Sequence, residues 1–176
     1  LMAGISGLES RAPIAFVLDL PAGHAMQPDL STVVLDRLQD AGNVGSILRS
    51  AGAFGFKQVL AIKGTAQLWS PKVLRAAMGA HFFLDIHEGC DLMAFLAGFR
   101  GEVIVTALDG SDALYALDMT EPVAWVFGSE GQGVRPAVME AAGRKIRIPM
   151  PGKAESLNVA AAAAICMYET VRQRLR

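Results

Sequence analysis

Three separated stretches concentrate the side chains that could do chemistry: Asn43 to Arg49, Phe127 to Gly133, and Ile148 to Asn158. Each follows an apolar run, and each sets glycine or proline beside a polar group. In Asn43-Val44-Gly45-Ser46-Ile47-Leu48-Arg49 the asparagine can cap a helix, and Gly45 leaves room for another backbone to approach. Arg49 follows Gly45 by one turn on the same helix face. A guanidinium there could clamp an anion, because its paired donors match phosphate geometry. An ordinary capped helix with a surface arginine accounts for the same residues.

The second stretch, Gly128-Ser129-Glu130-Gly131-Gln132-Gly133, resembles a phosphate-cradling turn. It departs from the dinucleotide pattern Gly-x-Gly-x-x-Gly because Glu130 replaces the middle glycine, where its charge would oppose a pyrophosphate. A carboxylate among glycines suits a cationic or hydrogen-bond-donating partner: an arginine, a ribose hydroxyl or a sulfonium ligand. A plain glycine-rich turn is the bland alternative. In the third stretch Pro149 and Pro151 leave a strand, Gly152 turns the chain, and Ser156 is placed to cap a long helix. Free backbone N–H groups at such a start can hold a polar ligand. Capping accounts for Ser156 but not for Asn158, a poor helix former in the first turn.

These stretches need elements to hold them. Apolar or β-branched runs predict strands over 14–20, 32–38, 58–62, 82–86, 103–108, 123–127 and 145–149. Helices are expected between them: 44–53 capped by Asn43, 72–78 after Ser70-Pro71, 91–99, 135–142 and 156–172. This alternation predicts an α/β fold with a parallel sheet. The three stretches then fall at strand ends, where open α/β sheets keep their sites. The run Ala160–Ala164 reads as close helix packing, and Trp69 and Trp125 read as core residues.

Composition narrows the function classes. With 176 residues, 52% hydrophobic and 19% charged, the chain suits one well-buried domain. A net charge of −1 and a pI near 6.3 supply no global field for a polyanion, so a nucleic acid would need a local patch. Arg144, Lys145, Arg147 and Lys153 could form one, or could be a solvated edge. Cys90 and Cys166 are too few and too separated for a disulfide framework or a zinc site. His24, His81 and His87 lack metal-ligand spacing, so neither a metal nor a catalytic histidine is expected. No run reaches the ~20 apolar residues of a membrane span, and the N-terminus lacks the order of a signal peptide. A cytoplasmic protein is expected, with residues 1–13 as a linker after a preceding domain and 14–176 as one folded domain.

Taken in order and spacing, the three stretches resemble the signature motifs of the SpoU (TrmH-type) RNA 2′-O-ribose methyltransferases of the SPOUT class, over nearly the whole chain from Ile14. The resemblance implies a parallel α/β sheet whose C-terminal segment forms a deep trefoil knot, and a homodimer. Among the sites it implies, Asn43 and Arg49 belong to the first motif, Glu130 to the second, and Ser156 and Asn158 to the third. It also implies S-adenosylmethionine as methyl donor, held by backbone around Thr106, Ala107, Leu108, Gly128, Ile148 and Leu157. On this reading Arg49 binds an RNA phosphate and stabilises a developing alkoxide, because a guanidinium, which holds its proton, is a poor base. Glu130 would hold Arg49 or a ribose hydroxyl, and Ser156 and Asn158 would orient ribose and cofactor. The expected substrate is ribosomal RNA ahead of tRNA. A Rossmann-type nucleotide-binding enzyme and a catalytically silent RNA-binding module are the competing classes.

Overall fold

Thr32-Val33-Val34-Leu35-Asp36 carries no polar alternation, so a strand made of it cannot face water on either side. The computed structural model, which describes residues 16–108 and 112–175, places it accordingly at the heart of the sheet. All five residues of this strand, β1, are buried. Six more strands follow: β2 (Gln58–Ala61), β3 (Asp85–Glu88), β4 (Glu102–Thr106), β5 (Asp112–Ala113), β6 (Val123–Gly128) and β7 (Arg144–Arg147). Their order is β3-β2-β1-β6-β4-β7-β5, with every pair parallel.

Alternate residues of the central strands feed two cores. On one face Val33, Leu35, Trp125, Phe127 and Ile104 pack against helices α1 (Ala41–Ala53), α2 (Pro71–Ala77) and α5 (Val159–Arg174). On the other face Val34, Leu60, Val105 and Val126 pack against α3 (Leu92–Gly98) and α4 (Pro136–Ala141). The result is three layers, helices on both faces of a parallel sheet. Trp125 is buried as expected, its indole Nε1 donating to Thr170 Oγ1 at 3.0 Å and so tying α5 to β6.

The predicted strands fall within a few residues of the observed ones, with one exception. The run at 14–20 forms no strand over residues 16–20, where Phe16 is 82% and Val17 100% exposed; residues 14 and 15 lie outside the described part. Its β-branched and aromatic composition is not enough without a pairing partner, and none of the seven strands of the sheet pairs with residues 16–20. The strand predicted at 82–86 starts later, at Asp85, since Ala80–Phe82 turns as a short 3₁₀ helix. The two-residue β5 was not expected; β7 recruits it. β1 stops at Asp36 because Arg37 adopts a left-handed backbone, φ 62°.

Two helix caps also differ from expectation. Asp40, not Asn43, caps α1: its Oδ1 accepts the Asn43 N–H at 2.7 Å. Asn158, not Ser156, caps α5, accepting from the N–H groups of Ala160 at 2.9 Å and Ala161 at 3.3 Å. Gly45 behaves as its position suggested. A Cβ there would lie 2.4 Å from Ala76 Cβ and 2.8 Å from the Val73 carbonyl oxygen, so the glycine is what lets α1 and α2 close together. Gly45→Ala is therefore expected to lower stability by about 1–3 kcal/mol, the usual cost of overpacking, in urea unfolding followed by circular dichroism. A gain in stability would show that the two helices slide apart freely.

Candidate active site

The chain runs outward from β1 through β2 to β3 on one side and places β6, β4, β7 and β5 on the other, so the sheet has a switch point beside β1. Ligands of open α/β sheets bind at the carboxyl ends of strands near such a point. Here β1 ends at Asp36, β4 at Thr106, β6 at Gly128 and β7 at Arg147. The segments that follow β4, β6 and β7 enclose a cleft of about 1150 Å³.

The loop after β6 is closed on itself. Ser129 N–H donates to the Gly133 carbonyl at 3.1 Å and Gly133 N–H to the Ser129 carbonyl at 2.8 Å, while Gln132 N–H donates to Ser129 Oγ at 3.2 Å. These three donors are spent within the loop. Two glycines are required here. A Cβ at Gly128 would sit 2.1 Å from Val134 N, and Gly133 has φ 67°. Glu130 is carried at the exposed tip.

The root of that loop is held by a pair that sequence reasoning missed. Asp36 is fully buried, and its carboxylate accepts from both the backbone N–H and the Nε of Arg135, each at 2.8 Å. Arg37 Nε lies 3.7 Å from the same carboxylate, beyond hydrogen-bond distance. An acidic residue closing a buried apolar strand was the available signal; its partner, 99 residues away, had none.

The first and third motifs meet the second through side-chain amides. Asn43 Nδ2 donates to Glu130 Oε1 at 3.0 Å, and Asn158 Nδ2 donates to Asn43 Oδ1 at 2.9 Å. Glu130 is thus held by Asn43, not by Arg49. Arg49 is exposed on α1; it does not line the cleft, and no hydrogen bond or ion pair joins it to another described residue. Ser156, Asn158 and Glu130 line the cleft, as do all six backbone positions singled out for a cofactor: Thr106, Ala107, Leu108, Gly128, Ile148 and Leu157. Leu108 is 70% and Leu157 40% exposed, so apolar surface faces the opening.

Other sequence candidates fall outside. None of the three histidines lines the cleft, and His81 is buried with Nε2 2.8 Å from the Leu68 carbonyl. Among the described residues no group of three or more His, Cys, Asp or Glu side chains is placed to hold a metal. Cys90 and Cys166 are free thiols, both pushed up in pKa chiefly by burial. Arg144 pairs with Glu102 at 2.8 Å and Asp112 at 3.4 Å, so the charge of that member of the basic patch is compensated by carboxylates. No helix among the described residues is long and apolar enough to cross a membrane.

The family model of the SpoU rRNA methylases matches residues 31–168, taking in all three motifs. The chain belongs to the SpoU rRNA methylase family. It is 32% identical over 169 residues to the Bacillus subtilis 23S rRNA (guanosine(2553)-2′-O)-methyltransferase, covering 94% of this chain and 67% of that one. A TrmH-family structure from Porphyromonas gingivalis superposes with a TM-score of 0.90 at 38% identity, over 98% of this chain and 71% of that one. The SpoU methyltransferase AviRb of Streptomyces viridochromogenes, solved in complex with AdoMet, superposes with a TM-score of 0.81 at 31% identity, over 89% of this chain and 64% of that one. The chain spans between about half and two thirds of the length of the curated relatives it matches. Family membership sets the Rossmann reading aside, in agreement with Glu130 at the forbidden glycine.

Proposed function

We propose that this domain transfers a methyl group from S-adenosylmethionine to a ribose 2′-hydroxyl in RNA, ribosomal RNA ahead of tRNA. The observation that carries the reading is one cleft lined by the second and third motif loops, to which Asn43 of the first motif is joined by the Glu130–Asn43–Asn158 hydrogen bonds. The relatives' names support the reaction and the cofactor: a 23S rRNA 2′-O-methyltransferase and an AdoMet-bound SpoU enzyme. The cleft's own chemistry fits such a cofactor. Leu108, Ile148 and Leu157 offer apolar surface for a purine, Glu130 offers negative charge to a sulfonium, and no lysine or arginine other than Arg147 lines it.

When bound, the cofactor supplies an electrophilic methyl. The chain must hold the ribose and steady the charge that grows on its oxygen. Holding two reactants in register can be worth ~7–11 kcal/mol, so positioning is the larger share. Glu130 accepts a ribose hydroxyl, Ser156 and Asn158 orient sugar and cofactor, and Arg49 holds an RNA phosphate and stabilises the developing alkoxide. Arg49 is free for that role, having no partner among the described residues.

A trefoil knot and a homodimer belong to the same proposal. β7 lies between β4 and β5, two strands that precede it in the chain, the strand order that a threaded C-terminal segment would leave. Ile165 and Tyr168, 39% and 56% exposed on α5, offer apolar surface for a second copy. A cytoplasmic setting fits the two free thiols. Residues 1–13 as a linker to a substrate-binding domain remain part of the reading and lie outside the described residues.

Calorimetric titration with S-adenosylhomocysteine, NAD and ATP tests the proposal without knowledge of the RNA. Selective binding of the first is expected. Absence of binding would favour the silent RNA-binding module.

A further inference from the structure

Asn158 turns one amide atom toward two backbone N–H groups, those of Ala160 and Ala161. A backbone N–H can only donate, so that atom is the oxygen and Nδ2 must point away. It points at Asn43, whose Oδ1 accepts at 2.9 Å. The same rule then orients the second amide: with its oxygen engaged, Asn43 turns Nδ2 to Glu130 and donates to Oε1 at 3.0 Å. Glu130 is thereby required to present an acceptor at Oε1, and Oε2 has no partner among the described residues.

These links join positions 87 and 115 residues apart. They fix three loops against one another. A glutamate at an exposed loop tip would otherwise distribute among rotamers, since a long side chain gives up conformational entropy on being held. We infer that Asn43 and Asn158 are positioning residues: the amide chain anchored on α5 ties back Oε1 of Glu130 and presents Oε2 as acceptor to a hydroxyl-bearing substrate of the ribose class. The substrate class rests on the methyl-transfer reading; the amide polarity does not.

Asn43→Asp keeps shape but sets an acceptor against Glu130, breaking the chain at one link. Adding Glu130→Gln restores it with reversed polarity, because the new amide at 130 can donate to the new carboxylate at 43 while Asn158 still donates to the other oxygen. Asn43→Asp is expected to lower the thermal midpoint by roughly 2–4 °C and to weaken S-adenosylhomocysteine binding about tenfold, and the double variant to recover most of both. Glu130→Gln alone should leave the midpoint unchanged and cofactor-analogue affinity within about twofold of wild type, and raise KM for the RNA about tenfold, since its link to Asn43 survives and only Oε2 is replaced.

Simple additivity in the double variant, or a wild-type KM in Glu130→Gln, would overturn the inference. A wild-type chain that binds no S-adenosylhomocysteine would instead overturn the methyl-transfer reading, and the thermal cycle would still decide the amide chain.

Discussion

Arg135→Ala is expected to destabilise the protein by about 3 kcal/mol, measured by urea unfolding. Asp36 has no exposure of its own, and Arg135 supplies two of its hydrogen bonds, one from the side chain. Removing the guanidinium leaves a buried carboxylate with one backbone donor. Breaking a buried pair in this way costs roughly 3–5 kcal/mol, and Arg37 at 3.7 Å keeps the figure at the lower end. Asp36→Asn should cost less, because the side chain of Arg135 is 37% exposed and can turn to water when its partner is neutral. Equal losses in the two variants would show that the pair acts through packing alone. Because Asp36 holds the root of the loop that carries Glu130 and lines the cleft, Arg135→Ala should also weaken S-adenosylhomocysteine binding.

Arg49→Lys is expected to reduce turnover on RNA by about 10²-fold with folding and S-adenosylhomocysteine affinity unchanged. An exposed side chain without a partner contributes little to stability, so the variant should unfold like wild type. What it removes is the planar fork of donors that matches a phosphate and steadies an alkoxide; losing one such stabilising group typically costs ~10²–10³-fold in rate. Lysine keeps the charge and discards the fork, which makes it a sharper test than alanine. Near-normal turnover would exclude any role for the guanidinium geometry. A loss of cofactor-analogue affinity would place Arg49 in a structural role instead.

Local residue patterns were enough to read the class of fold and the places where its chemistry would lie. Buried parallel strands need apolar residues on both faces, and runs such as Val33-Val34-Leu35 and Val123–Phe127 announce that requirement locally. Gly45 announced a close approach, and the glycines of the 128–133 stretch announced a turn. Tertiary structure decided what depends on a distant partner. The 14–20 run reads as a strand, yet no strand of the sheet pairs with residues 16–20. Asp36 has no meaning without Arg135, and Asn43 and Asn158 looked like a cap and a misfit until folding brought them to each other and to Glu130. Propensity acts over a few residues, so it can set an element and its loops. Hydrogen bonds between side chains 87 to 115 residues apart are set only by the packing of the whole sheet, and the candidate site is made of those.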